Sequence, residues 1–437
     1  METKINIFWF RRDLRLIDNR ALFEALSCQN KVLPIFIFDT EILNQLENKD
    51  DKRVDFIFQA LEKLNEYLEK SNKSIQIFYG KPLEIYQKLT EKYNIESVFF
   101  NEDYEPYTIK RDQKIIDFLN QKGINFYTYK DQVIFQKDEI TKADGKPYTI
   151  YTPYSKQWLL KFNDINLEFF ASEKKLENLL NIEKQNITLE NIGFKKTNYL
   201  FETPQINLEI LEKYQETRNF PTLETSQMST HLRFGTFSIR KLAKIANELK
   251  DKTYLKELIW REFFMQILWH FPKVIHHSFK EKYDKISWEN NEELFQKWCK
   301  GKTGYPIVDA GMRELNETGL MHNRVRMVCA SFLTKHLLTD WRIGEAYFAE
   351  KLMDYDLSAN NGNWQWSAGS GCDAAPYFRV FNPEEQQKKF DPKFIYIKKW
   401  VKEFGTSAYP KPIIEHKFAR ERALKRYKEG LGDEESF

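Results

Sequence analysis

Residues 5–15 read INIFWFRRDLR, an apolar aromatic run that ends abruptly in charge. Ile and Phe at this density predict a strand over Ile5–Phe10. A nucleotide-binding strand of the common kind would run into G-x-G-x-x-G. This one runs into Arg11-Arg12-Asp13-Leu14-Arg15 instead, so the main cofactor is not expected at this turn. Moving outward, Val32–Phe38, Ser74–Tyr79, Ser97–Phe100 and Ile124–Tyr127 have the same character and predict four more strands. Helix-like segments separate them: Val54–Leu68, Pro82–Tyr93 and Thr108–Gln121. In the first of these Phe56, Leu61, Leu64 and Leu68 keep helical spacing. Strand–helix alternation implies right-handed crossovers and a parallel sheet, hence a Rossmann-like α/β domain over residues 1–130.

Beyond it the pattern changes. Residues 131–204 have weak periodicity and many Lys, Glu and Asn, and read as a long connection with some helix. Residues 205–437 are helical in pattern, with breaks expected at Gly235, Pro272, Gly301–Pro306, Gly319 and Asn360–Gly362. The expected class is therefore α/β plus all-α, in a chain of 437 residues, too long for a single core.

Composition narrows the functions. A chain with 42% hydrophobic and 30% charged residues folds as an ordinary globular protein. Aromatics reach 15%, with 10 Trp, which suits a large aromatic core or a site for flat ligands. A net charge of +3 leaves any nucleic-acid contact to a local basic patch. Cys28, Cys299, Cys329 and Cys372 form no C-x-x-C pair and no His lies at ligand spacing, so reduced thiols and no metal are expected. The start shows no signal peptide and no run is long enough to span a membrane, so a cytoplasmic protein is expected.

Four segments of the helical half carry chemistry. Thr225-Ser226-Gln227-Met228-Ser229 places hydroxyls ahead of a helix, which suits a phosphate but equally an ordinary N-cap. Glu257, Trp260 and Arg261 share a helical neighbourhood, where Glu257 and Arg261 are spaced to pair and a surface ion pair beside a core Trp is the plainer reading. Met321-His322-Asn323-Arg324-Val325-Arg326-Met327 interleaves polar and Met side chains just after Gly319. Asp354 to Trp366 packs two Asp, three Asn, one Gln and two Trp into a stretch expected to be a loop. Exposed indoles are unfavourable unless something covers them, so this stretch reads as a site.

These segments resemble the cryptochrome/photolyase family, in particular the class I cyclobutane pyrimidine dimer DNA photolyases. The likeness runs from FWFRRDLR at 8–15 to HKFARERAL at 416–424, and is most specific at GKTGYPIVDAGMREL (301–315) and NNGNWQW (360–366). It implies an N-terminal antenna domain and a C-terminal all-helical domain binding one non-covalent FAD. Tyr214 and Thr225–Ser229 match phosphate-side positions, that is Thr225, Ser226, Gln227, Met228 and Ser229. Asp354 and Asp356 match contacts to the ring and ribose side, Arg326 would pair with Asp354, and Asn360 matches the residue facing flavin N5. An amide there accepts from the N5–H of a reduced flavin.

The resemblance further implies light-driven electron transfer from reduced FAD to a flipped-out dimer. Glu257 and Asn323 match polar contacts to the dimer bases, with Glu257 protonated when it meets a base carbonyl. Met327 would press on the dimer, and Trp260 and Trp366 would wall it. Trp288, Trp341 and Trp364 match an electron-transfer chain. Arg218, Arg261, Arg324, Arg379 and Lys389 match the DNA- and dimer-contacting rim of a monomeric enzyme acting on UV-damaged DNA, double- or single-stranded. The basic tail His416–Lys428 is explained as well by a solvated helix face.

One departure concerns the antenna. Tyr107 and Thr108 stand where a folate-binding branch would carry Asn-Glu, so a folate is not expected, and a deazaflavin, another flavin or no antenna remain alternatives. Three rivals are weighed on residues, of which a cryptochrome-type blue-light photoreceptor and a (6-4) photolyase stay as alternatives. A plant-type cryptochrome sensor tends to carry Asp where this chain has Asn360, and many carry a long tail. A (6-4) photolyase uses a histidine near the position of Asn323. A nucleic-acid-binding protein with a structural flavin would not need every catalytic position filled.

Overall fold

The computed structural model describes residues 3–432. By contacts the chain divides into two compact units. The first comprises 1–139, 159–206 and 227–248. The second comprises 140–158, 207–226 and 249–437. The division interleaves segments, whereas the sequence reading set consecutive blocks at 1–130, 131–204 and 205–437.

The first unit holds five parallel strands: β1 (Ile5–Phe10), β2 (Val32–Asp39), β3 (Gln76–Gly80), β4 (Ile95–Asn101) and β5 (Asn125–Tyr129). Their order is β3-β2-β1-β4-β5, with β1 paired to both β2 and β4. Every residue of β1 and β2 is buried, as expected of central strands covered on both faces. Four helices make the crossovers: α1 (Arg20–Leu26), α2 (Lys52–Leu68), α3 (Pro82–Lys92) and α4 (Pro106–Gln121). Asp51 starts α2 by accepting from the Arg53 N–H, and Pro82 and Pro106 start α3 and α4 where a missing N–H is harmless. Part of the expected connection returns to this sheet: Leu179 bridges Val32, and the Leu180 N–H donates to Val32 O at 2.8 Å.

The charged residues after β1 are buried in place of a phosphate loop. Asp13 and Asn19 meet Asn101 at the end of β4, and Arg11 reaches Asp112 and the Asn101 carbonyl. Arg15 donates to Asp131 at 2.6 Å. Arg240, on α7 (Ile239–Glu248), reaches Asp131 at 2.8 Å and Asp18 at 3.0 Å. These buried bonds place 227–248 in the sheet unit although its sequence pattern belongs to the helical half. The short helix before it, α6 (Met228–Phe234), stops at Gly235, whose φ is +65°, and the Gly235 carbonyl accepts from Arg15.

The second unit is helical. Its main helices are α8 (Thr253–His270), α9 (Pro306–Thr318), α10 (Asn323–Ser331), α11 (Trp341–Lys351), α12 (Leu357–Ala368) and α13 (His416–Leu431). The helix α5 (Tyr151–Asp164) begins in this unit and ends in the sheet unit. Breaks fall where expected at Pro272, Gly301–Pro306 and Gly319, but not at Asn360–Gly362, which lies inside α12. No helix among the described residues is long and apolar enough to cross a membrane. All four cysteines are free, with Cys28 exposed and Cys299 and Cys329 buried.

Burial works to raise the Asp131 carboxyl, but Arg15 and Arg240 outweigh it and hold it at about 2. The stabilisation from this depressed value is fully present above the unfolded carboxyl range, near 4, and is lost as pH falls through about 2. It amounts to roughly 2 kcal/mol. Urea titrations between neutral and strongly acidic pH are expected to show this loss in the wild type and a diminished one in Asp131→Asn.

Candidate functional site

The stretch read as a polar loop is a buried helix, and its polar side chains explain why. Asp356 caps α12 by accepting from the Ser358 and Ala359 N–H groups at 3.1 and 3.2 Å. Asn361 and Gln365 each donate to Val274 O at 3.0 Å, and Gln365 Oε1 accepts from the Phe279 N–H at 2.8 Å. Asn360 Nδ2 donates to Glu345 O and Glu345 Oε1, at 3.1 and 2.9 Å, from α11. Each amide thus satisfies a buried group on another segment, so the helix carries polar residues inward without penalty. Burial raises the Glu345 carboxyl, against the Asn360 hydrogen bond.

The helix fits because two glycines let it in. An added Cβ at Gly362 would overlap the Phe264 ring of α8, and one at Gly344 of α11 would overlap the Trp364 indole. Trp364 is 2% exposed and packs edge-on to Phe348 and to Trp298 at 4.9 and 6.2 Å. Trp341 shares this core, its Nε1 buried with no hydrogen-bond partner among the described residues, and Trp288 packs against its edge, touching Tyr427 at 5.8 Å.

Around the start of α12, Arg326 Nη2 pairs with Asp354 Oδ2 at 2.8 Å. The other Asp354 oxygen is buried with no hydrogen-bond partner among the described residues. A carboxylate with one arginine-bound oxygen and one buried acceptor to spare is a donor-and-acceptor set that fits a polar heterocycle such as a flavin ring. Tyr214 lies edge-on to Tyr254 at 5.0 Å, and the Tyr254 hydroxyl donates to Ser226 at 3.0 Å. Thr225 and Ser226 do not cap the following helix. Gln227 occupies that place with φ of +50° and no side-chain cap bond, so the N-terminal N–H groups of α6 are not claimed by these hydroxyls. Gln227, Met228 and Ser229 fall in the sheet unit, and Met228 is buried while Ser229 is exposed.

Glu257 is not paired with Arg261. It accepts from Arg218 Nη1 at 2.6 Å. Burial raises its carboxyl even though Arg218 opposes the shift. Half-buried Trp260, one turn on, stacks flat on Tyr151 with centroids 3.6 Å apart and planes 4° from parallel. Asn323 is the exposed first residue of α10, with Arg324 half-buried beside it and Met327 one turn further. Arg324 donates to Asn219 Oδ1 at 2.6 Å. Arg379 is exposed, lying 6.0 Å from half-buried Trp366, and Lys389 is exposed. Sequence reasoning missed Glu345, Tyr151 and Trp298. Each acts on an expected residue from a distant segment, and no local pattern marks it.

In the sheet unit, Tyr107 donates to Asp39 Oδ2 at 2.6 Å and Glu41 Oε2 at 3.1 Å, while Thr108 is buried. Arg111 and Arg11 lie over the Trp9 ring, 4.7 and 5.1 Å from its centroid.

Two family models match the chain: "DNA photolyase" over residues 6–174 and "FAD binding domain of DNA photolyase" over 254–407. A deoxyribodipyrimidine photo-lyase of Synechococcus is 34% identical, covering 94% of this chain and 93% of its own. The solved class III photolyase of Agrobacterium tumefaciens is 30% identical with a TM-score of 0.86, covering 98% of both chains. The archaeal photolyase of Sulfolobus tokodaii, solved with two FAD molecules, is 34% identical with a TM-score of 0.82, covering 97% of this chain and 99% of its own.

Gly362→Ala is expected to destabilise the protein by about 1–3 kcal/mol, because the methyl group must displace the Phe264 ring. Chemical denaturation checks the loss, and the visible absorbance of bound flavin checks whether α12 keeps its place.

Proposed function

The chain belongs to the DNA photolyase family, and from that premise we propose that it repairs cyclobutane pyrimidine dimers in UV-damaged DNA, double- or single-stranded, as a cytoplasmic monomer. FAD is its cofactor, held by the helical half. The supporting observation is co-location. The span that matches the FAD-binding domain, 254–407, also contains Glu257, Trp260, Asn323, Met327, Asn360 and Trp366. FAD bound there would supply light-driven one-electron chemistry toward the dimer, so the reaction would need no protein nucleophile.

The protein's task is then to hold and to shield. Arg326 and Asp354 would fix the ring from one side, and a cation there favours a flavin carrying negative charge. Asn360, clasped by Glu345, offers an uncharged polar contact that costs little reorganisation. Tyr214, Thr225 and Ser226 are assigned to the phosphate side. Trp260 is held rigid by the Tyr151 ring, so a flipped-out base would meet a fixed aromatic surface. Glu257 and Asn323 would hydrogen-bond the base edges, and Met327 would fill against them. Arg218, Arg324, Arg379 and Lys389 would take phosphates. Trp364, Trp341 and Trp288 lie in or against one core, which supports a path for recharging an oxidised flavin. For the sheet unit the proposal keeps three alternatives, a deazaflavin antenna, another flavin or no antenna.

Repair of a thymine-dimer oligonucleotide under blue light by the reduced, flavin-loaded protein tests this reading, and absence of repair in such a sample would refute it. Glu257→Ala is expected to keep its flavin and lose repair yield severalfold. Trp341→Phe is expected to lose photoreduction of oxidised flavin while repairing normally after chemical reduction.

A further inference from the structure

Glu257 and Arg218 form an ion pair at the very place where a base contact and a phosphate contact are both assigned. The bond is 2.6 Å long, and the two side chains are 28% and 29% exposed. Three tyrosines from three segments feel the carboxylate: Tyr151 of α5, Tyr214, and Tyr254 of α8. Each is held above its ordinary value by burial, with the Glu257 charge adding to the shift. On α8 itself the nearest charged residues in sequence are Lys256 and Arg261. The cation that faces Glu257 is Arg218.

Arg218 is also part of a positive cluster. Burial, then Arg218, then Arg379 lower Arg324, so Arg324 feels the charge of both other guanidinium groups. Arg324 is satisfied by the neutral Asn219 amide, and Arg379 by the rings of Trp366 and Phe381. Only Arg218 of the three has a carboxylate partner among the described residues. A phosphodiester arriving at this cluster therefore competes with Glu257 for Arg218.

Glu257 cannot serve a base carbonyl while ionised, because a carboxylate has acceptors only. It must gain a proton first, and Arg218 is what opposes that gain. We propose that the Arg218–Glu257 pair is a latch released by DNA: a backbone phosphate takes Arg218, and Glu257, left against aromatic rings, takes one proton from solvent and becomes a hydrogen-bond donor to the dimer. The exchange balances, since one ion pair replaces another and one proton enters the complex. It couples backbone binding to readout of the lesion. The latch rests on the dimer-repair reading.

The test uses the flavin-loaded full chain in the dark, so that dimers persist. Binding of a labelled thymine-dimer oligonucleotide is measured across pH, with calorimetry in two buffers of different ionisation enthalpy. The affinity is expected to weaken as pH rises, approaching about tenfold per pH unit, with up to one proton taken up per dimer bound. The E257Q variant is expected to bind with a flat profile and no uptake. R218Q, whose Glu257 has already lost its counter-ion, is expected to take up less than the wild type. Flavin absorbance reports that both variants are folded. Preferential dimer binding by the wild type without proton uptake would overturn the latch, as would uptake unchanged in E257Q. Loss of any preference for the dimer over the undamaged strand would overturn the repair reading and the latch together.

Discussion

The helical unit depends on how closely α12 can approach its neighbours. Gly362 admits the Phe264 ring, and Gly344 admits the Trp364 indole. Without these two contacts the helix would stand off α8 and α11 by the width of a methyl group. The hydrogen bonds from Asn361 and Gln365 to Val274 would then stretch beyond useful range. Steric room at two glycines thus decides whether Asn360, Asn361 and Gln365 are satisfied in the interior or left unpaired. The expense of leaving them unpaired, about 1–3 kcal/mol each, makes the helix an all-or-none arrangement.

The sheet was readable because its signal is local. β1 and β2 are runs of Ile, Val and Phe buried on both faces, and the amphipathic helices between them carry Phe56 and Leu61 on their inner side. Boundaries moved by one or two residues, as capping by Asp51 or Pro106 sets them. The misread element was α12. Its polar content imitates a loop, and the acceptors that make it a buried helix, Val274 and Glu345, lie on other segments. The placement of 227–248 was hidden for the same reason, since Asp18 and Asp131 draw Arg240 to the sheet unit over more than a hundred residues.

The candidate site was legible to a different degree. Motif resemblance paired Arg326 with Asp354, and the two meet at 2.8 Å. Spacing on one helix suggested Arg261 for Glu257, but the carboxylate takes Arg218 from another segment. A helical i,i+4 geometry permits a pair without selecting it, because a half-buried carboxylate prefers whichever cation reaches it with least exposed surface. The partners that refine the site, Tyr151 behind Trp260 and Trp298 against Trp364, leave no trace in local pattern.

The Glu345 clasp on Asn360 gives that side chain a polarity. Both amide hydrogens are directed to α11, one to a carbonyl and one to a carboxyl oxygen, so the group cannot turn round without breaking two bonds. What it shows to the other side is its oxygen. Any ring nitrogen facing it is welcome with a hydrogen attached and unwelcome as a bare lone pair. An uncharged residue can in this way sort the protonation states of a heterocycle, by orientation alone.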